Sequence, residues 1–214
     1  MKLITAKPSP YVRKVRIALR EKGLDAEEIV DVPWNNDTKT PDHNPLGKVP
    51  VLILDDGGVV HDSSVICEYL DTVQPEPRMF PENPADRVRV RQAEALANGI
   101  CDAIVLAVLE GMRPADKQSA DWVARQQAKI DAGLKELARI TPAANTPGGS
   151  WMVGGAMSIA DVSAACALRY LTLRLPDQDW HARYPGLAEF SDLMEARPSF
   201  RATVPETQQI EPVN

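Results

Sequence analysis

The sequence predicts a small α/β domain followed by an all-α domain, and three observations support that class. The first third of the chain alternates short β-type runs with helical stripes, a proline-dense stretch then breaks all regular structure, and beyond it apolar residues recur only at helical spacing. At 214 residues the chain suits one large domain or two modest ones, and either can bury a core.

The opening "KLITA" is a short β-type run. In "YVRKVRIALREKG", Val12, Val15, Ile17 and Leu19 fall near one helical stripe that stops at Gly23, and "EEIVDV" follows as a second strand, completing a βαβ unit. A polar, turn-rich stretch from Pro33 to Gly47 leads to "VPVLILDDGGVVH", two apolar runs split by Asp55, Asp56, Gly57 and Gly58. This is the pattern of an antiparallel hairpin, and the helix "SVICEYLDTV" comes after it. In "QPEPRMFPENP" four prolines in eleven residues forbid regular structure. The expected domains are therefore 1–76 and 85–214, with a linker at 77–84.

The second part reads as helices. Residues 85–111 have long helical character, residues 121–140 space Ile130, Leu134 and Leu137 at three and four, and "SIADVSAACALRYLTLRL" continues the pattern. "TPAANTPGGS" reads as a loop, and "YPGLAEFSDLMEARPSF" as one more helix closed off by Pro198. Ser158 at N-cap with Asp161 at N3 forms a capping box with a structural role, and Met157 with Val162 a hydrophobic staple. Asn98 and Asp102 lie one turn apart, which fits a solvated face, and is compatible with a polar contact across a subunit interface or with a ligand. There is no internal repeat and no low-complexity tract.

Composition excludes several function classes. Hydrophobic residues at 44% and charged residues at 25% are ordinary for a soluble globular protein, and a net charge of -6 gives no broad basic face for phosphate backbones. No nucleic-acid partner is expected. The N-terminus lacks a signal-peptide pattern and the longest wholly apolar run, 103–109, is far below the ~20 residues that span a bilayer, so a cytoplasmic protein with no membrane partner is expected. Cys67, Cys101 and Cys166 stand singly without CxxC spacing and read as reduced core residues. His43, His61 and His181 are isolated and no GxSxG elbow occurs, so no Ser-His-Asp triad and no metal site are expected. A Gly-rich nucleotide loop is also missing.

Three local stretches can bind a ligand. Pro50 in "KVPVL" begins an apolar strand, where a proline without an N–H is tolerated. Because only about 5% of X-Pro bonds in folded proteins are cis, a trans proline is the ordinary reading; a cis bond would leave the Val49 N–H and C=O to pair with an extended peptide ligand. In "HDSSVICEYL", Asp62 or Ser63 caps a helix, yet the same N–H groups and hydroxyl suit a carboxylate, and the aspartate suits an ammonium. Lys48 offers its charge to a second carboxylate or is merely solvated. Ser9, followed by Pro10 at N1, is a good helix cap, and the same helix end favours an anion such as a thiolate to which the hydroxyl donates.

Taken in order, "SPYVRKVRIAL", "NPLGKVPVL", "DSSVICEYL" and "SIADVSAACAL" resemble cytosolic glutathione S-transferases over nearly the whole chain, most of all bacterial serine-type members of undefined class. The resemblance implies a thioredoxin-like N-terminal domain that binds glutathione, joined to an all-α C-terminal domain, in a homodimer. It makes Pro50 a cis-proline and pairs Val49 with the cysteinyl backbone of glutathione. Asp62 and Ser63 become the clamp on the γ-glutamyl group, Lys48 falls near the glycyl carboxylate, and Ser9 addresses the sulfur. "SPYV" also resembles the "CPYC" of glutaredoxins with both cysteines lost, so conjugation or isomerisation is expected ahead of thiol-disulfide exchange. A tyrosine-type transferase is the runner-up, but Tyr11 lies two residues into the helix and should point elsewhere.

The implied function is a detoxifying transferase that binds glutathione as co-substrate, stabilises its thiolate and adds it to an electrophilic small molecule. The alternatives are a non-catalytic glutathione-binding or regulatory protein of the same fold, or a glutathione-dependent isomerase or dehalogenase. The second substrate is expected at the domain junction, where Ile104, Leu106 and Leu109 serve equally as core or pocket.

Overall fold

The computed structural model describes residues 1–142 and 151–208, so most of the loop expected at "TPAANTPGGS" lies outside the described residues. The chain divides into two compact units, Met1–Phe80 together with the segment from Arg197, and Pro81–Ala196.

The first unit contains strands β1 (Lys2–Thr5), β2 (Glu27–Val30), β3 (Val51–Ile53) and β4 (Val59–Val60), with helices α1 (Pro10–Glu21) and α2 (Ser63–Val73). The sheet order is β2-β1-β3-β4, with β1 and β2 parallel and the other two pairings antiparallel. The expected hairpin forms, closed by the Leu54 N–H donating to the Gly58 carbonyl at 2.8 Å. The α1 stripe is buried as its spacing requires: Val12, Val15, Ile17 and Leu19 are all 5% exposed or less. Just past the helix, Gly23 takes φ +64°, the left-handed conformation that glycine adopts at no Cβ cost.

Three cations in this unit are buried, Arg13, Lys14 and Lys22, and two of them, Lys22 and Arg13, donate to carbonyls or a carboxylate. Lys22 Nζ donates to Asp71 Oδ1 (2.7 Å), the Gln74 carbonyl (2.7 Å) and the Pro77 carbonyl (2.9 Å), fastening the ends of α1 and α2 to the start of the proline-rich stretch. Arg13 donates from Nε to the Thr203 carbonyl and from Nη2 to the Phe200 carbonyl, with its guanidinium 5.4 Å from the centre of the Phe200 ring. Phe200 belongs to α8 (Pro198–Arg201), which packs on α1. Glu21 accepts from both Arg197 Nε and Nη2 at 3.1 and 2.8 Å. These bonds are the chemical reason the last segment groups with the first unit.

The second unit is helical: α3 (Pro84–Gly111), α4 (Ala120–Ile140), α5 (Ile159–Arg174), α6 (Trp180–Arg183) and α7 (Pro185–Glu195). Helix α3 packs against both α4 and α5 through Val90, Ala93, Ala97, Ile100 and Ile104. By length and composition alone α3 could cross a bilayer, with mean hydropathy 1.4 over its best window, although no uninterrupted apolar run in it approaches that length. Gly133 of α4 lets the two helices approach: a Cβ there would fall 2.5 Å from Ile100 Cγ1. Helix α5 is buried on nearly every side, and the Ser158–Asp161 capping box expected at its start is present.

Candidate active site

Strand register brings the three candidate stretches together. Ile4 of β1 pairs with Val51 of β3, so the end of β1 lies beside the start of β3; Leu52 pairs with Val60, so the end of β4 lies at that same edge. The loop carrying Ser9, the peptide Val49–Pro50 and the turn carrying Asp62 therefore leave one edge of the sheet on three neighbouring strands. Since β1 and β4 run in the same direction, the N-termini of α1 and α2 both open there.

Ser9 is the N-cap of α1, in extended conformation with Pro10 at N1. Its Oγ accepts from the Val12 N–H at 3.3 Å, which leaves its own O–H able to donate outward. Asp62 is the N-cap of α2 and Ser63 its first residue; Asp62 Oδ1 accepts from the Ser64 N–H at 2.7 Å. The Ser63 hydroxyl is buried and has no hydrogen-bond partner among the described residues. A buried polar group of that kind usually awaits a partner. Neither α1 nor α2 carries an acidic residue in its first turn, whereas α3, α4 and α5 carry Asp86, Asp121 and Asp161 there. The positive end of α1 is thus less neutralised than those of the long helices in the other unit, whereas that of α2 meets the Asp62 carboxylate at its N-cap.

The Val49–Pro50 bond is cis, with Pro50 buried, Val49 half-buried and Lys48 exposed. The His61–Asp62 and Glu76–Pro77 bonds are cis as well. What holds Val49 in place was not visible in the motif alone. Asn44 donates from Nδ2 to the Lys48 carbonyl at 2.8 Å and accepts the Leu46 N–H on Oδ1 at 3.1 Å. Its carbonyl accepts the Gly47 N–H at 2.8 Å, closing a turn whose last residue takes φ +60°. An Asn before Pro with Gly three residues on is a turn signal that could have found it. Lys14, also unremarked in the sequence, is 1% exposed, and its Nζ donates to Ser64 Oγ at 3.3 Å, tying α1 to the first turn of α2.

Upstream of Asn44 stands Asp31, whose Oδ2 accepts from Thr38 Oγ1, Lys39 N, Thr40 N and Thr40 Oγ1 at 2.7–2.9 Å. Burial pushes the Asp31 carboxyl up, but the bonds from Thr40, Thr38 and the Lys39 backbone outweigh it and hold the carboxyl below its ordinary value.

Comparison with known proteins adds the family. Residues 8–73 match the model of the glutathione S-transferase N-terminal domain and residues 120–193 that of the C-terminal domain. The chain belongs to the glutathione S-transferase family. A crystal structure of a glutathione S-transferase from Methylobacterium radiotolerans JCM 2831, in complex with glutathione sulfonate, is 46% identical with TM-score 0.94, covering 100% of this chain and 98% of that one. An uncharacterised glutathione S-transferase-like protein, YibF of Escherichia coli K12, is 38% identical over 96% of this chain and 98% of its own. Maleylacetoacetate isomerase of Pseudomonas aeruginosa is 29% identical over 97% of each chain.

Every residue expected to bind glutathione lies within the N-terminal glutathione S-transferase match at 8–73. Two clefts occur elsewhere in the first unit: one of about 600 Å³ beside Arg20, Asp25 and Arg197, and one of about 220 Å³ beside Lys7, Val12 and Arg201. Neither is lined by Ser9, Val49 or Ser63. Of the residues expected for the second substrate, Ile104 is wholly buried, while Leu106 and Leu109 are each 37% exposed. Asn98 is half-buried and Asp102 exposed on α3. No group of three or more His, Cys, Asp or Glu side chains able to hold a metal occurs among the described residues.

Proposed function

We propose that this family member is a glutathione transferase in which the glutathione sulfur faces Ser9, the cysteinyl backbone pairs with Val49, and the γ-glutamyl end meets Asp62 and Ser63. The observation that supports this best is the shared sheet edge, where two helix N-termini flank the Val49–Pro50 peptide. Strands about 4.8 Å apart put β1 and β4 about 10 Å from each other, which is the length of an extended tripeptide. The unpartnered Ser63 hydroxyl and the α2 N-terminus favour a carboxylate, and Asp62 favours the neighbouring ammonium. Exposed Lys48 supplies a cation for the glycyl carboxylate. The glutathione sulfonate held by the M. radiotolerans relative supports the same ligand.

The chemistry follows from ionising the thiol, whose unperturbed pKa is about 8.5. The positive end of α1 and the Ser9 hydroxyl, donating to sulfur, favour the thiolate, with the proton released to water. The thiolate then attacks an electrophilic carbon, the C–S bond forms, and the leaving group departs with its electron pair. Ser9→Ala should lower kcat on the order of a hundredfold, by analogy with the loss of one anion-stabilising donor, while glutathione affinity stays within several-fold. Steady-state kinetics with an aryl halide, paired with calorimetric titration, measures both; unchanged turnover would overturn the role of Ser9. A protein that ignores millimolar glutathione would instead be a non-catalytic member of the fold.

A second reading, glutathione-dependent isomerisation, is favoured by the maleylacetoacetate isomerase relative and uses the same residues. Turnover of maleylacetoacetate in excess of any aryl halide separates it from conjugation. The protein is further proposed to be a cytoplasmic homodimer. Buried Cys67, Cys101 and Cys166, none of them in a disulfide, suit a reducing compartment, and Leu46 (72% exposed), Val65 (52%) and Val88 (57%) offer apolar surface for a second copy. Light scattering gives the mass directly.

A further inference from the structure

We infer that Asp31 is a positioning residue for glutathione: through Thr40 and Asn44 it fixes the plane of the Lys48–Val49 peptide. The inference rests on the reading of Val49 as the backbone partner of the ligand.

The connection is continuous. The Asp31 N–H donates to the Thr5 carbonyl at 2.8 Å, so the aspartate is anchored at the end of β1, at the sheet edge from which the Ser9 loop departs. Its Oδ2 gathers both the N–H and the hydroxyl of Thr40, a residue wholly buried. The Thr40 carbonyl in turn accepts the N–H groups of His43 (3.0 Å) and Asn44 (2.9 Å). Asn44, 3% exposed, then holds the Lys48 carbonyl at 2.8 Å.

That last bond decides where the Val49 N–H points. The carbonyl of Lys48 and the N–H of Val49 belong to one peptide unit, which is planar, and in a trans unit the two groups point in opposite directions. Gripping the oxygen from the Asn44 side therefore aims the N–H away from Asn44. A backbone donor held in one orientation binds an extended ligand without first being ordered, and freeing it adds that ordering cost to each binding event. The anchor is an ion rather than a neutral side chain, and hydrogen bonds to a charged acceptor are roughly twice as strong as neutral ones.

The test uses the full-length protein. Asp31→Asn should raise the Kd and KM for glutathione about tenfold, the scale of one weakened hydrogen bond to a charged group, while kcat at saturating glutathione stays within about twofold. A merely structural aspartate would lower the melting temperature and leave Kd per folded molecule unchanged. Thr40→Val, which removes one donor to Asp31 and keeps the charge, should raise Kd in the same direction, and Thr40→Ser, which restores the hydroxyl, should return it to the parent value; this pair decides the matter if Asp31→Asn does not fold. Folded Asp31→Asn or Thr40→Val protein with parental Kd, or with kcat lowered at parental Kd, overturns the inference. Failure of the unmodified protein to bind glutathione overturns the reading of Val49 itself, and the inference with it.

Discussion

Asp31 in the first unit and Asp161 in the second do the same work, gathering donors left over where the chain bends, yet their carboxyls respond in opposite directions. Asp31 Oδ2 accepts four bonds at the edge of a loop that remains partly in contact with water. Asp161, wholly buried, accepts the Met152 N–H on Oδ1 at 2.8 Å, and on Oδ2 the Ser158 N–H at 2.8 Å and the Ser158 hydroxyl at 2.9 Å. Burial dominates at Asp161 and pushes its carboxyl up despite those bonds; at Asp31 the bonds outweigh burial and the carboxyl is held down. The number of hydrogen bonds is therefore a poor guide to charge stability, and depth decides. The dry cap locks a helical core, whereas the wetter one organises a loop that can face a ligand.

The largest expected consequence is in stability. Asp161→Ala strands two N–H groups and a hydroxyl in a dry site, and at about 1–3 kcal/mol for each orphaned buried group, partly relaxed, the loss should be about 3–5 kcal/mol. Asp31→Ala should cost less, about 2–3 kcal/mol, because water can reach the freed Thr38 and Lys39 donors and only those of buried Thr40 are orphaned. Urea unfolding of both variants measures the difference. Equal losses would mean that depth does not separate the two sites.

Their legibility in the sequence differs for a related reason. The Asp161 cap is local: Ser158, three residues earlier, spells the box before any fold is known. Asp31 finds its partners seven to nine residues on, across a stretch with no period of two or of 3.6, so nothing in the pattern links them. The helices and the hairpin were legible because their apolar spacing is periodic, and Val12, Val15, Ile17 and Leu19 are buried as read. Arg13 and Lys14 sit in the same helix, equally buried, because carbonyls at Phe200 and Thr203 and the Ser64 hydroxyl come to meet them. The stripe could not announce partners that distant. Likewise Gly133 looks like a helix weakness until Ile100 is found against it.

The candidate site divides along the same line. Ser9 and Asp62 are N-caps and Ser63 is the first residue of α2, and all three could be placed on helix ends from their neighbours alone. Their convergence on one edge depends on the β1-β3-β4 register, which no local pattern states. The Val49–Pro50 bond is the sharpest case. General frequency favours trans, the resemblance implied cis, and the bond is cis.

The smallest expected effect is in the acid limb of stability, and there the two aspartates should pull apart. A carboxyl held below its unfolded value of about 3.9 stabilises the fold above that pH and loses the contribution as pH falls through its lower folded value; this is Asp31. A carboxyl raised above that value favours the fold when protonated, so its relative contribution is present below about pH 3.9 and lost as pH rises through the folded value; this is Asp161. Between those two pH values folded Asp161 holds more proton than the unfolded chain, and one proton changes stability by at most about 1.4 kcal/mol per pH unit. On acidification from pH 6 to pH 3, Asp161→Asn should therefore lose stability more steeply than the parent, because it lacks the proton uptake that offsets the fall. Asp31→Asn should lose it less steeply. Denaturant midpoints across that range give the slopes, and a shift of both variants in the same direction would show that the opposed carboxyls do not govern the acid limb.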